Sequence, residues 1–330
     1  MSKVLVTGGG GFIGGHLASR LVELGHEVHL LENFSRAVRD SYLEGLLASP
    51  SVRLIEADLT RPESAERVGT DYEFVYHLAA IVGVANVLRA PVAVLTGNVR
   101  MVDAALEIAA RQTRLRRFVF TSTSEVYMGT LEKLGLPFPT PEDVPLVCPD
   151  LGSKRMSYML SKIYGEAMCR AAQVPTTMVR PHNVYGPRMG LSHVIPELLQ
   201  RAHSTREGGN LEVFSVGHKR TFCYIADAVE MLRLAAENDG ADSGTYNLGN
   251  QSPEVTILEL ARLVVAAVGK RLCLVPKPDT VSSPARRAPD TTKIRNLTGY
   301  TSRIDLREGI QRTLQWYSAQ VFSGAEQSSR

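Results

Sequence analysis

A chain of 330 residues with 44% apolar side chains can bury a large core, enough for two lobes, which excludes an intrinsically disordered protein. A net charge of only +3 with intermixed signs leaves no footprint for nucleic acid, and no uncharged apolar run reaches membrane-spanning length. The four cysteines, Cys148, Cys169, Cys223 and Cys273, are scattered without a CxxC pair, which fits a reducing, cytoplasmic compartment.

The chain enters a strand at once, leaving no room for a signal peptide. Val4-Leu5-Val6 is a buried-strand run, Thr7 to Gly14 a glycine turn, and His16 to Val22 has helical apolar spacing. Strand, glycine turn and helix together predict an anion at the helix N-terminus, where a Cβ would block a pyrophosphate. Gly8, Gly11 and Gly14 are spaced three and three, unlike the two-then-three dinucleotide fingerprint. Glu27 to Leu31 is the second strand. Glu32 ends it at the distance, about 20 residues past the glycines, where an acidic residue meets the adenosine ribose and repels a 2′-phosphate. NAD is therefore favoured, with Arg36 and Arg39 keeping NADP open. Val52 to Ile55 is a third strand. Asp58 after it either contacts adenine or caps a helix implied over Thr60 to Val68. Phe74 to Leu78 is the fourth strand, with His77 expected in the core and small Ala79 and Ala80 beyond. A long helix follows from Val92 to Arg111, with Asn98 early in it. The fifth strand, Phe118 to Thr121, opens into Ser122 to Tyr127, whose hydroxyls and carboxylate face the cleft if ligands sit beyond the strand ends of an open parallel sheet. A broken, proline-rich loop, Leu136 to Pro149, precedes a helix carrying Tyr158 and Lys162 one turn apart on the same face. A lysine there can stabilise a tyrosinate, which a phenol of ordinary pKa ~10 needs to act as a base near neutrality.

These landmarks, with Asp58-Leu59, His77 to Ala80 and Arg180 to Arg188, resemble the extended short-chain dehydrogenase/reductases of the nucleotide-sugar epimerase/dehydratase family. The likeness runs from Lys3 to about Tyr317. It implies an α/β fold: a doubly wound parallel Rossmann domain over residues 1–186, a smaller α/β lobe over 187–322 that holds a nucleoside-diphosphate sugar, possible crossing of the chain between them, and a flexible tail over 323–330. Thr123, Tyr158 and Lys162 fall on the catalytic positions. NAD is expected against Gly8, Gly11, Phe12, Ile13, Gly14, Glu32, Asn33, Asp58, Leu59, Leu78, Ala79, Ala80 and Asn98, with Tyr158 and Lys162. The sugar nucleotide is expected against Asn183, Arg188, Val194, Phe214, Arg220 and Arg287. Phe214 stacks near the base or fills the core. Arg220, Arg286 and Arg287 suit a dianion, because a guanidinium donates two parallel hydrogen bonds. The family also implies a homodimer through Val92–Arg111 and Ser153–Ala172. No second histidine sits at metal-binding spacing from His77, so no metal is expected.

Thr123-Ser124-Glu125, Gly186 to Met189, Asn247 to Asn250 and Arg287 to Asp290 are similar to the UDP-glucuronate decarboxylases. The 4,6-dehydratases carry aspartate where Ser124 stands, and simple 4-epimerases a small apolar residue at Glu125. This likeness implies oxidation of the sugar at C4 with Tyr158 as base, loss of carbon dioxide with Ser124, Glu125 and Arg287 handling the carboxylate, and return of the hydride. A 4-epimerase, a dehydratase and a non-catalytic nucleotide sensor are the alternatives. Four places depart from the pattern: His182 stands for a phenylalanine, Met128 for a glycine, Ile81 to Gly83 lacks prolines, and Gly152 to Ser157 differs. All four fall where the resemblance puts the sugar pocket.

Overall fold

A computed structural model describes residues 1–241, 244–280 and 283–323; of the expected tail over 323–330, all but Ser323 lies outside them. Strands and helices alternate through the first half. They are β1 (Lys3–Thr7), α1 (Phe12–Glu23), β2 (Glu27–Glu32), α2 (Ser41–Leu47), β3 (Val52–Glu56), β4 (Phe74–His77), α3 (Val84–Arg89), α4 (Pro91–Ala110), β5 (Arg117–Thr121), α5 (Met128–Leu134), α6 (Met156–Ala171) and β6 (Thr176–Pro181). The second half has shorter strands: β7 (Val184–Tyr185), α7 (Val194–Ser204), β8 (Asn210–Phe214), β9 (Lys219–Arg220), β10 (Cys223–Tyr224), α8 (Ile225–Glu237), β11 (Gly244–Leu248), β12 (Val255–Thr256), α9 (Ile257–Val268), β13 (Cys273–Lys277), β14 (Arg286–Arg287), α10 (Thr292–Thr298) and α11 (Leu306–Tyr317).

The seven-stranded sheet has the order β11-β6-β5-β4-β1-β2-β3 and every pair in it is parallel. Order reverses between β1 and β4, so the ligand cleft lies beyond the carboxyl ends of these strands. Both faces are covered, which is why the strands read as continuous apolar runs. Val4, Val6, Leu30, Tyr76 and Val179 pack under α1 and α8, whereas Leu5, Leu31, Val75, Phe120 and Met178 pack under α4 and α6.

After Gly186 the chain crosses back into the sheet, and the stretch after β3 differs from the expected helix. α8 returns to the sheet beside α1, and β11 pairs with β6 in the register Thr245↔Met178. Leu248 and Ile225 share one continuous core with the lobe residues Leu211 and Val264. The stretch after β3 is a 3-10 turn over Pro62–Arg67 whose N-cap is Arg61. Asp58 therefore caps no helix; its Oδ1 accepts from the Thr60 N–H at 2.9 Å and the Thr60 hydroxyl at 2.7 Å.

Candidate active site

The glycine turn forms because β1 must double back onto α1 with backbone touching backbone. A Cβ on Gly14 would stand 2.2 Å from the Gly8 carbonyl oxygen, and one on Gly8, at φ +70°, 2.8 Å from the Ala79 nitrogen. The N-cap of α1 is Gly11, so no side chain caps the helix and the N–H groups around Phe12, Ile13 and Gly14 face the cleft. This cradle fits a dinucleotide pyrophosphate. Glu32, at the end of β2, accepts from Gly10 N at 3.1 Å and from Asn33 N at 3.1 Å, and so stands over the turn. Leu78 and Ala79 are held by Thr7, whose carbonyl accepts from Leu78 N at 3.1 Å and whose Oγ1 accepts from Ala79 N at 3.3 Å. Ala80 follows them into the cleft-edge loop.

Two side chains from the expected cofactor set have other partners. The Asn98 carboxamide is spent on Ile81, accepting from its N–H at 2.7 Å and donating to its carbonyl at 3.2 Å, and on the Ser161 hydroxyl at 3.0 Å. It therefore shapes the loop after β4 and ties α4 to α6. The Leu59 side chain is buried in the core. His77 is a core residue as expected, stacked on Phe118 and Phe120 with Nδ1 2.9 Å from the Thr7 hydroxyl.

Beyond β5, extended Thr123 starts a 3-10 turn over Ser124–Tyr127, its Oγ1 accepting from Glu125 N at 3.2 Å. The turn buries Ser124. α6 lies flush on β5 because Gly165 has no Cβ; one would meet Phe120 Cζ at 2.5 Å. That contact sets the height of Tyr158 and Lys162. The Lys162 ammonium donates to the Thr121 carbonyl at 2.8 Å and lies 5.9 Å from the Tyr158 ring centre. Burial and the Glu125 charge push the Tyr158 phenol well above its usual range, opposed by a hydrogen bond with Thr123 and by Arg36. Burial lowers Lys162 to about 8. The three expected catalytic groups are thus together, with Glu125 within electrostatic reach.

The next cavity, about 200 Å³, is lined by Glu125, Met128, Arg155, Arg220, Ser283 and Arg287, among others. β14 pairs in parallel with β9 so that Arg287 stands opposite Arg220. Burial and the Arg287 charge lower Arg220 to about 10. Arg287 is lowered by burial and held up by Glu125. Two crowded guanidiniums in one cavity are what a diphosphate or a carboxylate would relieve. Arg286 is instead an exposed partner of Glu254, at 2.7 and 2.8 Å.

Phe214 is 43% exposed on the outer face of β8, so it fills no core position. Val194 opens α7. Asn183, at φ 44°, donates to the Thr221 carbonyl at 2.8 Å and holds the loop after β9 to the sheet edge. Arg188, expected at the substrate, donates from Nε to Asp40 at 2.7 Å and from Nη2 to the Gly10 carbonyl at 3.2 Å, on the glycine turn.

Sequence reasoning did not find the buried pair behind the site. Arg180 grips Glu166 at 2.9 and 2.7 Å and donates to the Tyr127 hydroxyl at 2.8 Å. Its signal was present, an arginine inside the apolar strand and a glutamate one helical turn after Lys162. Ser283 at the cavity was also missed, because only tertiary packing brings it beside Met128 and Arg155.

The model of the NAD dependent epimerase/dehydratase family matches residues 4–249. UDP-glucuronic acid decarboxylase 1 of Arabidopsis thaliana is 31% identical over 98% of this chain and 72% of its own length. The UDP-N-acetyl-alpha-D-glucosaminuronate decarboxylase of Bacillus cytotoxicus is 29% identical over 96% of this chain and 97% of its own. Among solved structures, a UDP-glucose 4-epimerase from Thermotoga maritima with UDP-glucose superposes with a TM-score of 0.81 at 27% identity, covering 96% of this chain and 99% of that one.

Proposed function

The chain belongs to the NAD dependent epimerase/dehydratase family, and from that membership we propose that it decarboxylates UDP-glucuronate, using NAD, to UDP-xylose or its 4-keto pentose. The observation that carries the substrate is the cavity where Glu125 lies beside the facing Arg287 and Arg220, next to Thr123 and Tyr158. A uronate needs a cation for its carboxylate, and a nucleotide needs one for its diphosphate. The named decarboxylase relatives support the same reading.

The glycine turn, Glu32 and the backbone at Ala79 are the residues that would hold the dinucleotide. The chemistry expected of bound NAD is reversible acceptance of the C4 hydrogen. Tyr158 takes the proton of the 4-hydroxyl while Thr123 shares that hydrogen bond and the Lys162 ammonium steadies the resulting phenolate. A ketone at C4 makes the C6 carboxylate a β-keto acid, so the C5–C6 bond breaks, carbon dioxide leaves and its electron pair remains as the enolate. Ser124 and Glu125 orient the carboxylate and return a proton to C5 in this reading. Arg287 pairs with the carboxylate, and Arg220 with the diphosphate. Glu32 favours NAD over NADP by repelling a 2′-phosphate.

Incubation with UDP-glucuronate and NAD, followed by mass spectrometry, tests this. A UDP-pentose lighter by one carbon dioxide is expected, or a UDP-4-keto-pentose lighter by one carbon dioxide and two hydrogens with NADH formed in equal amount. Interconversion with UDP-galacturonate at constant mass would assign a 4-epimerase instead, and dehydration of a neutral nucleotide hexose a dehydratase. We also infer a homodimer through α4 and α6, because Val92 and Tyr164 on these helices are exposed; sedimentation gives the answer. Among the described residues no helix is long and apolar enough to cross a membrane, and all four cysteines are free, which fits a reducing compartment.

A further inference from the structure

His182 follows β6 directly, at the carboxyl edge of the sheet. β5 and β6 pair with Thr121 opposite Val179, which puts Thr123 level with Pro181 and His182 one step beyond. The ring is 2% exposed and lies 5.8 Å from that of Tyr127, in the turn that carries Ser124 and Glu125. One imidazole nitrogen is accounted for. The Asn247 Nδ2 donates to the Thr140 and Asp290 carbonyls at 2.9 and 3.1 Å, which fixes that amide with Oδ1 as acceptor. Oδ1 then accepts from the Tyr127 hydroxyl at 2.7 Å and from His182 Nε2 at 3.0 Å. Tyr127 is oriented in turn by Arg180 at 2.8 Å, and Arg180 by Glu166. The chain of donors therefore dictates the tautomer: the proton sits on Nε2 and Nδ1 carries a bare lone pair. That Nδ1 is buried and has no hydrogen-bond partner among the described residues.

An unmet acceptor costs free energy unless a ligand or water meets it. We propose that His182 is a sugar-binding residue whose Nδ1 accepts a hydrogen bond from a hydroxyl of the bound nucleotide sugar. Burial together with the nearby Arg287 and Arg180 charges lowers its basicity to about 3, so Nδ1 stays an acceptor at neutral pH. Asn247 alone among its neighbours opposes that shift. The family phenylalanine that His182 replaces could fill this space but could not accept. The inference deepens the nucleotide-sugar reading and rests on it.

The test uses the full chain labelled with ¹⁵N-histidine and saturated with NADH, so that no C4 oxidation consumes the sugar. His182→Phe assigns the resonance. Nδ1 is expected to appear as an unprotonated nitrogen, to move towards hydrogen-bonded values when a UDP-sugar binds, and to stay put with UDP. By calorimetry, His182→Phe should weaken a UDP-sugar by about 3- to 10-fold, the worth of one neutral hydrogen bond, leaving UDP and NADH unchanged. The panel is UDP-glucuronate, UDP-galacturonate and UDP-N-acetylglucosamine. A protonated Nδ1, or one that every bound sugar leaves unmoved, overturns the proposal even if UDP-glucuronate is decarboxylated. If UDP-glucuronate fails to bind but another sugar moves Nδ1, the decarboxylase reading falls and this one stands. If no sugar binds, both fall.

Discussion

Tyr158 and Lys162 begin with the wrong protonation states for their task. Burial holds the proton on the phenol and loosens it on the ammonium, to about 8. Thr123 and Arg36 pull the phenol the other way. Replacing Tyr158 with phenylalanine keeps the ring and removes the base. Turnover should fall at least ~100-fold with NAD affinity unchanged, and near wild-type turnover would show that another group takes the proton. The depressed lysine also fixes a direction with pH. Its charge is lost as pH rises through about 8, where a solvated lysine is still an ammonium. The kcat/KM profile should therefore have an alkaline limb near that value. Lys162→Arg, whose guanidinium does not deprotonate in this range, should lose the limb; its persistence would assign it elsewhere.

Elements that bury both faces or turn on glycine were legible from sequence, because one physical demand selects their residues. β1, the glycine turn and α1 are such a unit; α9 is fixed just as locally, by the capping box of Thr256 and Glu259 and by Gly269 in the left-handed region. α5 was not legible. It is a single short stretch whose Gly129 is pressed against the Val147 carbonyl, so the loop over 145–149 decides its conformation. Only parallel pairing with β6 places β11 in the main sheet. Sequence likewise gives the neighbours of Arg188, Pro187 and Met189, and not the Asp40 it reaches. Asp40 caps α2 through Leu43 N at 2.9 Å, and the Arg188 guanidinium lies 4.8 Å from the Tyr42 ring centre. Arg188 thereby fastens the loop after β7 to the glycine turn and to α2. Arg188→Ala should destabilise the fold by about 1–3 kcal/mol, the range for charged hydrogen bonds with Asp40 partly open to water. By calorimetry it should weaken NAD binding and leave UDP affinity unchanged. Loss of UDP with NAD intact would return Arg188 to the substrate.

At the scale of the whole molecule, three neutral histidines are locked into different parts of one continuous structure. His16 lies between α1 and α2, stacked on Tyr42; His77 is in the central sheet; His182 is where the sheet meets the lobe. Burial lowers them to about 4, about 3 and about 3 respectively. Each folded value lies below the unfolded value of ~6.5. The unfolded chain therefore binds protons that the folded chain refuses, and stability is lost as pH falls below that point. The loss continues down to the folded values, with a slope of about 1.4 kcal/mol per pH unit for each histidine. Carboxylates held low, such as Asp58 and Glu230, act in the same direction but only nearer pH 4 and below. The window between pH 6.5 and 4.5 thus belongs mainly to histidine. His77→Gln isolates one share, because the amide can keep a hydrogen bond to Thr7 and cannot take up the proton. Urea unfolding at pH 6.5, 5.5 and 4.5 should show the variant less stable than wild type at the highest pH. Its stability should then fall less steeply, by about 1.4 kcal/mol per pH unit where His77 would titrate. Equal slopes for variant and wild type would mean that His77 does not take up its proton on unfolding, and that the acid lability has another source.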